Sequence, residues 1–150
     1  MIEYKKALIH GQHSWFLEYV NEIEAGNIII GNDMQMQIEN LIRDLENPWY
    51  VYNTKDSDLR IEFIETFCQH TKAPFYGQPF ILELWQKAFI ETFYSFKWSP
   101  EGYRAYYEED PVREHLRRFK KAILMVARKN GKAIDINTPI QTLNGLKRLG

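Results

Sequence analysis

The sequence is short of what marks an exported or membrane-bound protein. Its 150 residues include one cysteine, Cys68, so neither an internal disulfide nor a thiol-metal framework is open to it, and a reducing cytoplasm is the default setting. No apolar run approaches the roughly 20 residues that span a bilayer. Residues 1–6, with Glu3 among them, lack the basic-then-apolar order of a signal peptide. The expectation is a chain neither exported nor membrane-embedded. An excess of one charge is missing too: 19 Lys and Arg against 20 Asp and Glu leave a formal charge of -1. That balance excludes a protein whose whole surface clamps nucleic acid, so any such contact must be local. Internal repeats and low-complexity segments are absent. What is present, 45% hydrophobic and 26% charged residues, suits one domain with a sizeable buried core.

Apolar residues in 4–25 fall at Leu8, Trp15, Phe16, Tyr19, Val20 and Ile23, a helical spacing interrupted by Gly11 and closed by Gly26. One or two helices are expected there. Asn32 or Asp33 can cap a second helix with Ile38, Leu41, Ile42 and Leu45 on one face, ended by Asn47-Pro48. Trp49-Tyr-Val-Tyr52 favours an extended segment. A third helix starting at Asp56 or Ser57 carries Leu59, Phe63 and Phe67 on one stripe, with Ile64 and Cys68 beside it, and ends before Pro74. The clearest period runs from Pro79 through Ile81, Leu84, Trp85, Ala88, Phe89, Thr92 and Phe93, an amphipathic helix with proline at its first position. Residues 102–111 are polar and tyrosine-rich and read as a connection. Residues 113–121 are strongly basic. Ala122-Ile-Leu-Met-Val126 then has the length of a strand buried on both faces and runs directly into Arg128-Lys-Asn-Gly-Lys132.

A buried strand followed by Gly-Lys is the arrangement phosphate binding needs: backbone amides wrap the phosphates, a lysine neutralises the β and γ oxygens, and a following hydroxyl ligates magnesium. Gly131-Lys132 match that pattern. Val126 stands where the usual first glycine would be, and Ala133 where the hydroxyl belongs.

Val126-Ala-Arg-Lys-Asn-Gly-Lys132 resembles the variant Walker A of the large terminase subunit of tailed bacteriophages, the ATPase and nuclease that packages DNA into proheads. Gly77-Gln-Pro-Phe-Ile-Leu-Glu-Leu-Trp-Gln86 resembles the adenine-side element upstream of the P-loop in that family. Tyr19-Val-Asn-Glu-Ile-Glu-Ala-Gly26 and Asn40-Leu-Ile-Arg-Asp-Leu45 resemble its helical N-terminus. The resemblance covers residues 1–132 in the family's order. It implies a mostly α chain with a short β portion: a helical N-terminal region over 1–111, then over 112–132 the first strand and P-loop of an incomplete α/β ATPase domain. It also implies that Arg128, Lys129, Asn130, Gly131 and Lys132 hold the phosphates of ATP with Mg2+, Lys132 and Arg128 being the catalytic pair, and that Trp85 and Gln86 serve the adenine. Gln86 offers one acceptor and two donors for a two-bond adenine contact, with Trp85 or Phe80 supplying apolar contact. Against that stand a core Trp85 and a solvated Gln86. Arg128 could meet a γ-phosphate or be a solvated turn residue. Double-stranded DNA, a small terminase subunit and a portal protein are the implied partners, in the cytoplasm of a bacterial host.

After Lys132 that resemblance stops, and residues 133–150 are similar to the opening of an intein, through Thr138-Pro-Ile-Gln-Thr142 and Asn144-Gly145. A bare β-hairpin fits the same letters. An intein inserted between Lys132 and Ala133 would leave the missing Ser or Thr as the first downstream host residue, which is also the nucleophile splicing requires. Ala133 carries no nucleophile, so either the downstream residue attacks directly or splicing is dead. Without a Walker B strand or a nuclease domain, the chain alone is expected to be inactive. His10, His13, His70 and His115 show no ligand spacing, so no metal site is expected. Arg113, Arg117, Arg118, Lys120 and Lys121 read either as a DNA-phosphate contact or as a solvated helical face. A different class of function stands as the alternative: a small helical interaction module in which Gly131-Lys132 is an ordinary turn.

Overall fold

A computed structural model of the chain describes residues 1–108 and 116–124. It is mostly helical with short antiparallel strands. Two compact units divide it, the first formed by Met1–Asp58 with Glu83–Lys121, the second by Leu59–Leu82 with Ala122–Gly150. None of the described helices is long and apolar enough to cross a membrane.

The first unit opens with three two-residue strands, β1 (Ile2–Glu3), β2 (Leu8–Ile9) and β3 (Gln12–His13), paired antiparallel in that order. Of the helical spacing expected for residues 4–13, only a single 3-10 turn over Tyr4–Lys6, between β1 and β2, is realised. Local geometry overrides it: His10 and Gly11 both take positive φ, 51° and 79°, and link Ile9 to its partner Gln12 as a two-residue hairpin turn. Helix α1 (Trp15–Glu24) starts where Ser14 accepts a hydrogen bond from the Leu17 amide. It stops at Gly26, whose φ of 80° suits the helix-ending role expected of it.

Helix α2 (Asn32–Leu45) turns Ile38 inward, with Leu41, Ile42 and Leu45 half-buried beside it. Asn47-Pro48 leads into β4 (Tyr50–Tyr52), and α3 (Lys55–Phe67) follows. Helix α4 is Leu84–Ser95, so Pro79 lies ahead of it rather than at its first turn. Strand β5 (Phe96–Trp98) pairs antiparallel with β4, Tyr50 opposite Trp98 and Tyr52 opposite Phe96. Period-two alternation puts Tyr52, Phe96 and Trp98 inside and leaves Val51 exposed. The core gathers Ala7, Ile9, Phe16, Leu17, Val20, Ile38, Tyr52 and Phe96.

The stretch read as a connection begins with a helix, α5 (Pro100–Tyr107). Ser99 caps it, accepting from the Gly102 amide at 3.0 Å and donating to the Pro48 carbonyl at 2.7 Å. Pro100 takes the first turn, where its missing N–H costs nothing. Propensity alone hides this helix, because Gly102 and three tyrosines are poor helix formers; Gly102 is there for close packing against the backbone of Trp49.

The second unit holds a narrow loop. Gln69 bridges Pro79, the His70 amide donates to the Gln78 carbonyl at 3.0 Å, and the Phe80 amide donates to the Cys68 carbonyl at 3.0 Å. The His70 ring lies 4.9 Å from that of Phe80. Ile61 and Ile64 are the buried residues of α3 in this unit. The expected stripe, Leu59, Phe63 and Phe67, is 56%, 43% and 70% exposed. Ile64, expected beside that stripe, is the part of the pattern that faces inward.

Candidate functional site

Two features of α4 concentrate the polar chemistry of the described residues. At its N-terminus, Glu83 and Gln86 form a capping box: the Glu83 carboxylate accepts from the Gln86 amide while Gln86 Oε1 accepts from the Glu83 amide at 2.8 Å. Trp85 Nε1 donates to Glu83 Oε2 at 2.7 Å. The Gln86 side chain is buried, and among the described residues its Nε2 has no hydrogen-bond partner. The amide orientation is fixed, because a reversed group would set Nε2 against the Glu83 N–H, donor to donor. A buried amide donor without an acceptor costs about 1–3 kcal/mol, so this is a position where an incoming acceptor would be welcome. Gln86 is thus not the solvated residue of the bland alternative. Trp85 is half-buried, with its ring nitrogen already engaged, and Phe80 is fully buried.

Two turns further along α4, Glu91 is completely buried. Its carboxyl accepts from Ser14 Oγ at 2.5 Å and the Tyr52 hydroxyl at 2.6 Å, and from the Trp15 amide at 2.7 Å and the Phe16 amide at 3.5 Å. The last two are the first amides of α1, left unpaired inside that helix and carrying its positive dipole end. Glu91 is therefore an internal anion site filled by the chain's own acid. Burial raises its carboxyl above the usual carboxylate range, and the hydrogen bonds from Ser14, Tyr52, Trp15 and Phe16 oppose that rise. Burial and the neighbouring Glu91 hold Tyr52 well above the usual phenol value. A spacing that brings Ala88, Glu91 and Ser95 onto one face of α4 could have disclosed Glu91 from sequence; the eye follows apolar letters and passes over a buried acid among them.

The basic segment turns inward. Leu116 to Phe119 lies along β5, with the Trp98 amide donating to the Leu116 carbonyl at 2.9 Å and the Arg118 amide to the Phe96 carbonyl at 3.0 Å. It is not a helical face. The Arg118 guanidinium stands 4.0 Å from the Tyr50 ring centre and 4.7 Å from that of Phe119, with Nη1 2.6 Å from Asp44 Oδ2, a charge contact without hydrogen-bond geometry. Arg117 lies over Tyr94 at 5.1 Å, and Lys120 over Tyr107 at 5.4 Å. These cations are held by aromatic faces, which reduces what they offer a phosphate backbone. Arg118→Lys is expected to lower stability by about 1–2 kcal/mol, since an ammonium cannot stack as the planar guanidinium does. A drop in the urea midpoint at unchanged slope reads this directly; an unaltered midpoint would refute the stacking role.

Of the predicted phosphate-binding residues, Arg128, Lys129, Asn130, Gly131 and Lys132 lie outside the described residues, as do the Ala133 junction, Arg113 and His115. The strand expected to precede them is described only over residues 122–124. These carry no regular structure, and Ile123 is 91% exposed. Among the histidines, His13 has an acidic partner after all, Glu18 at 2.7 Å, on the surface beside Trp15. No group of three metal-ligating side chains occurs among the described residues. Comparison with family models, with curated proteins and with solved structures finds no match.

Proposed function

We propose that residues 1–132 are the leading part of a phage terminase large subunit, the ATP-driven motor that packages double-stranded DNA, and that an intein begins at Ala133 within its P-loop. One observation beyond the sequence motifs carries this reading: the buried Gln86 amide, its oxygen spent on the helix cap and its Nε2 donor unanswered. An adenine presents ring nitrogens that accept such a donor. The fit is partial, because only a second lone pair on Oε1 remains to accept from the adenine amino group. Gln86 would hold the base; Gly131 and Lys132 would hold the phosphates, and Arg128 would face the γ-phosphate. ATP with Mg2+ supplies the driving energy for translocation when bound. Ala133 cannot ligate the magnesium, so the hydroxyl ligand would be the first host residue after the intein. The small terminase subunit, the portal protein and the cytoplasm of a bacterial host complete the proposed setting. The chain by itself is expected to bind nucleotide weakly or not at all and to hydrolyse none.

The deciding experiment restores the parent: the intein is removed, the downstream half joined, and a serine placed after Lys132. Lys132→Ala should then reduce ATP hydrolysis by about 100-fold or more, as expected when a group stabilising transferred charge is lost. Gln86→Leu should raise KM for ATP while leaving kcat nearly unchanged. Retained hydrolysis in Lys132→Ala would end the phosphate assignment. A second reading, a helical interaction module with no nucleotide binding, is favoured by the exposed Leu59, Phe63 and Phe67 face and by the exposed Ile123. Reading the gene downstream separates the two. Intein blocks followed by Ser or Thr and a Walker B strand support the motor; a stop codon supports the module.

A further inference from the structure

We infer that the Gln86 site takes purine nucleoside triphosphates without choosing between adenine and guanine, because its amide can offer a base its donor and not its acceptor. The inference rests on the nucleotide reading above and names the substrate class that goes with it.

The direction of the amide decides. A glutamine free to present an acceptor beside a donor pairs with adenine through N6–H and N7; guanine shows O6 and N7 on the same edge, both acceptors, and meets the amide oxygen with a mismatch. Gln86 is not free in that sense. Its Oε1 accepts from the Glu83 amide at 2.8 Å, and the Glu83 carboxylate accepts from the Gln86 amide, the two halves of the box that starts α4. What remains for a base is Nε2, buried and without a partner among the described residues. Adenine answers that donor with N7, and guanine with N7 or O6. The adenine amino group, which would set adenine apart, has to share Oε1 with a backbone amide. The Glu83 carboxylate is occupied as well, taking the Trp85 indole N–H at 2.7 Å besides the Gln86 amide. The cap that starts the helix thus removes the acceptor on which a choice of base depends.

Glu83 offers a way to give that acceptor back. Its backbone, at φ -72° and ψ 159°, has a conformation that proline adopts. Glu83→Pro therefore deletes the N–H that holds Oε1, whereas Glu83→Ala deletes the carboxylate and keeps the N–H.

Calorimetric binding of the β,γ-imido analogues of ATP and GTP, with Mg2+, to the restored parent tests the inference. The two analogues should bind within about tenfold of each other, the difference one ordinary hydrogen bond makes. Gln86→Leu should weaken both alike, by about tenfold, which distinguishes a shared contact from no contact with the base. Glu83→Ala should keep the indifference, and Glu83→Pro should bring a preference for the ATP analogue of about tenfold or more. Should Glu83→Pro not fold, the parent and Gln86→Leu carry the decision. A larger preference for either base in the parent, a Gln86→Leu chain that loses neither analogue or only one, or a folded Glu83→Pro chain with an unchanged ratio would overturn the inference and leave the phosphate assignment standing. Binding of neither analogue to the parent, or undiminished binding of both to Lys132→Ala, would end the nucleotide reading and this inference with it.

Discussion

Gly102→Ala is expected to cost about 3 kcal/mol or more, at the upper end of what overpacking usually costs. A Cβ at this position would stand 2.2 Å from the Trp49 carbonyl oxygen and 2.7 Å from the Trp49 Cα. Both are backbone atoms, so no rotamer change relieves the collision. The carbonyl is held in place as well, accepting from the Ser99 amide at 2.9 Å. On helix propensity alone the same substitution would gain about 1 kcal/mol, so the sign of the measured effect decides between the two terms. Ala105→Gly, three residues on and exposed, provides the control and should lose only about 1 kcal/mol. Urea unfolding of both variants checks this. A Gly102→Ala chain as stable as the parent would mean that α5 can withdraw from Trp49 at little cost.

Glu91→Ala should be as damaging or worse, at about 4 kcal/mol or more. It strands the Ser14 and Tyr52 hydroxyls and the first two amides of α1 in a dry interior, at about 1–3 kcal/mol for each unmet group, partly offset as they find one another. Glu91→Gln preserves the shape and most of the acceptors, and should lose roughly half as much. The difference has a pH signature. Burial raises the folded-state carboxyl above the ordinary value near 4.5, so through the interval between them the native chain binds more protons than the unfolded one. The stability that Glu91 contributes is then complete below the ordinary value and declines as pH rises through the raised one. The loss in Glu91→Gln should accordingly be largest at the acid end and shrink toward neutral pH. Equilibrium unfolding of the two chains at a series of pH values reads it, and a loss that grows with pH would contradict the direction. Tyr52 adds a second decline of the same sign above pH 10, where the unfolded phenol ionises and the buried one does not.

Helix α2, strand β4 and the end of α1 at Gly26 were legible because there the local signals agree with the packing: an apolar face, a β-branched and aromatic run, a glycine able to take positive φ. The first thirteen residues were not. Two consecutive positive-φ positions, His10 and Gly11, turn the chain into a hairpin against a helical spacing of apolar letters. In α3 the stripe was visible but not its direction, because Ser57 turns inward to meet Ser95 and carries Ile61 and Ile64 to the same side of the helix. The basic run misled for a related reason: Arg118 is spent on aromatic rings and Asp44, which charge counting cannot foresee. At the candidate site, Gln86 could be singled out from the sequence, whereas the acid-filled start of α1 depends on contacts more than seventy residues apart.

The strip from Leu116 to Phe119 has a bearing on how the gene can be divided. It supplies the outer backbone partner of β5 and lays a guanidinium over Tyr50. A truncation after residue 111, where the basic run has yet to start, would therefore strip β5 of its seam and uncover the Tyr50 and Phe96 rings. A C-terminal truncation that spares this fold has to fall beyond Phe119.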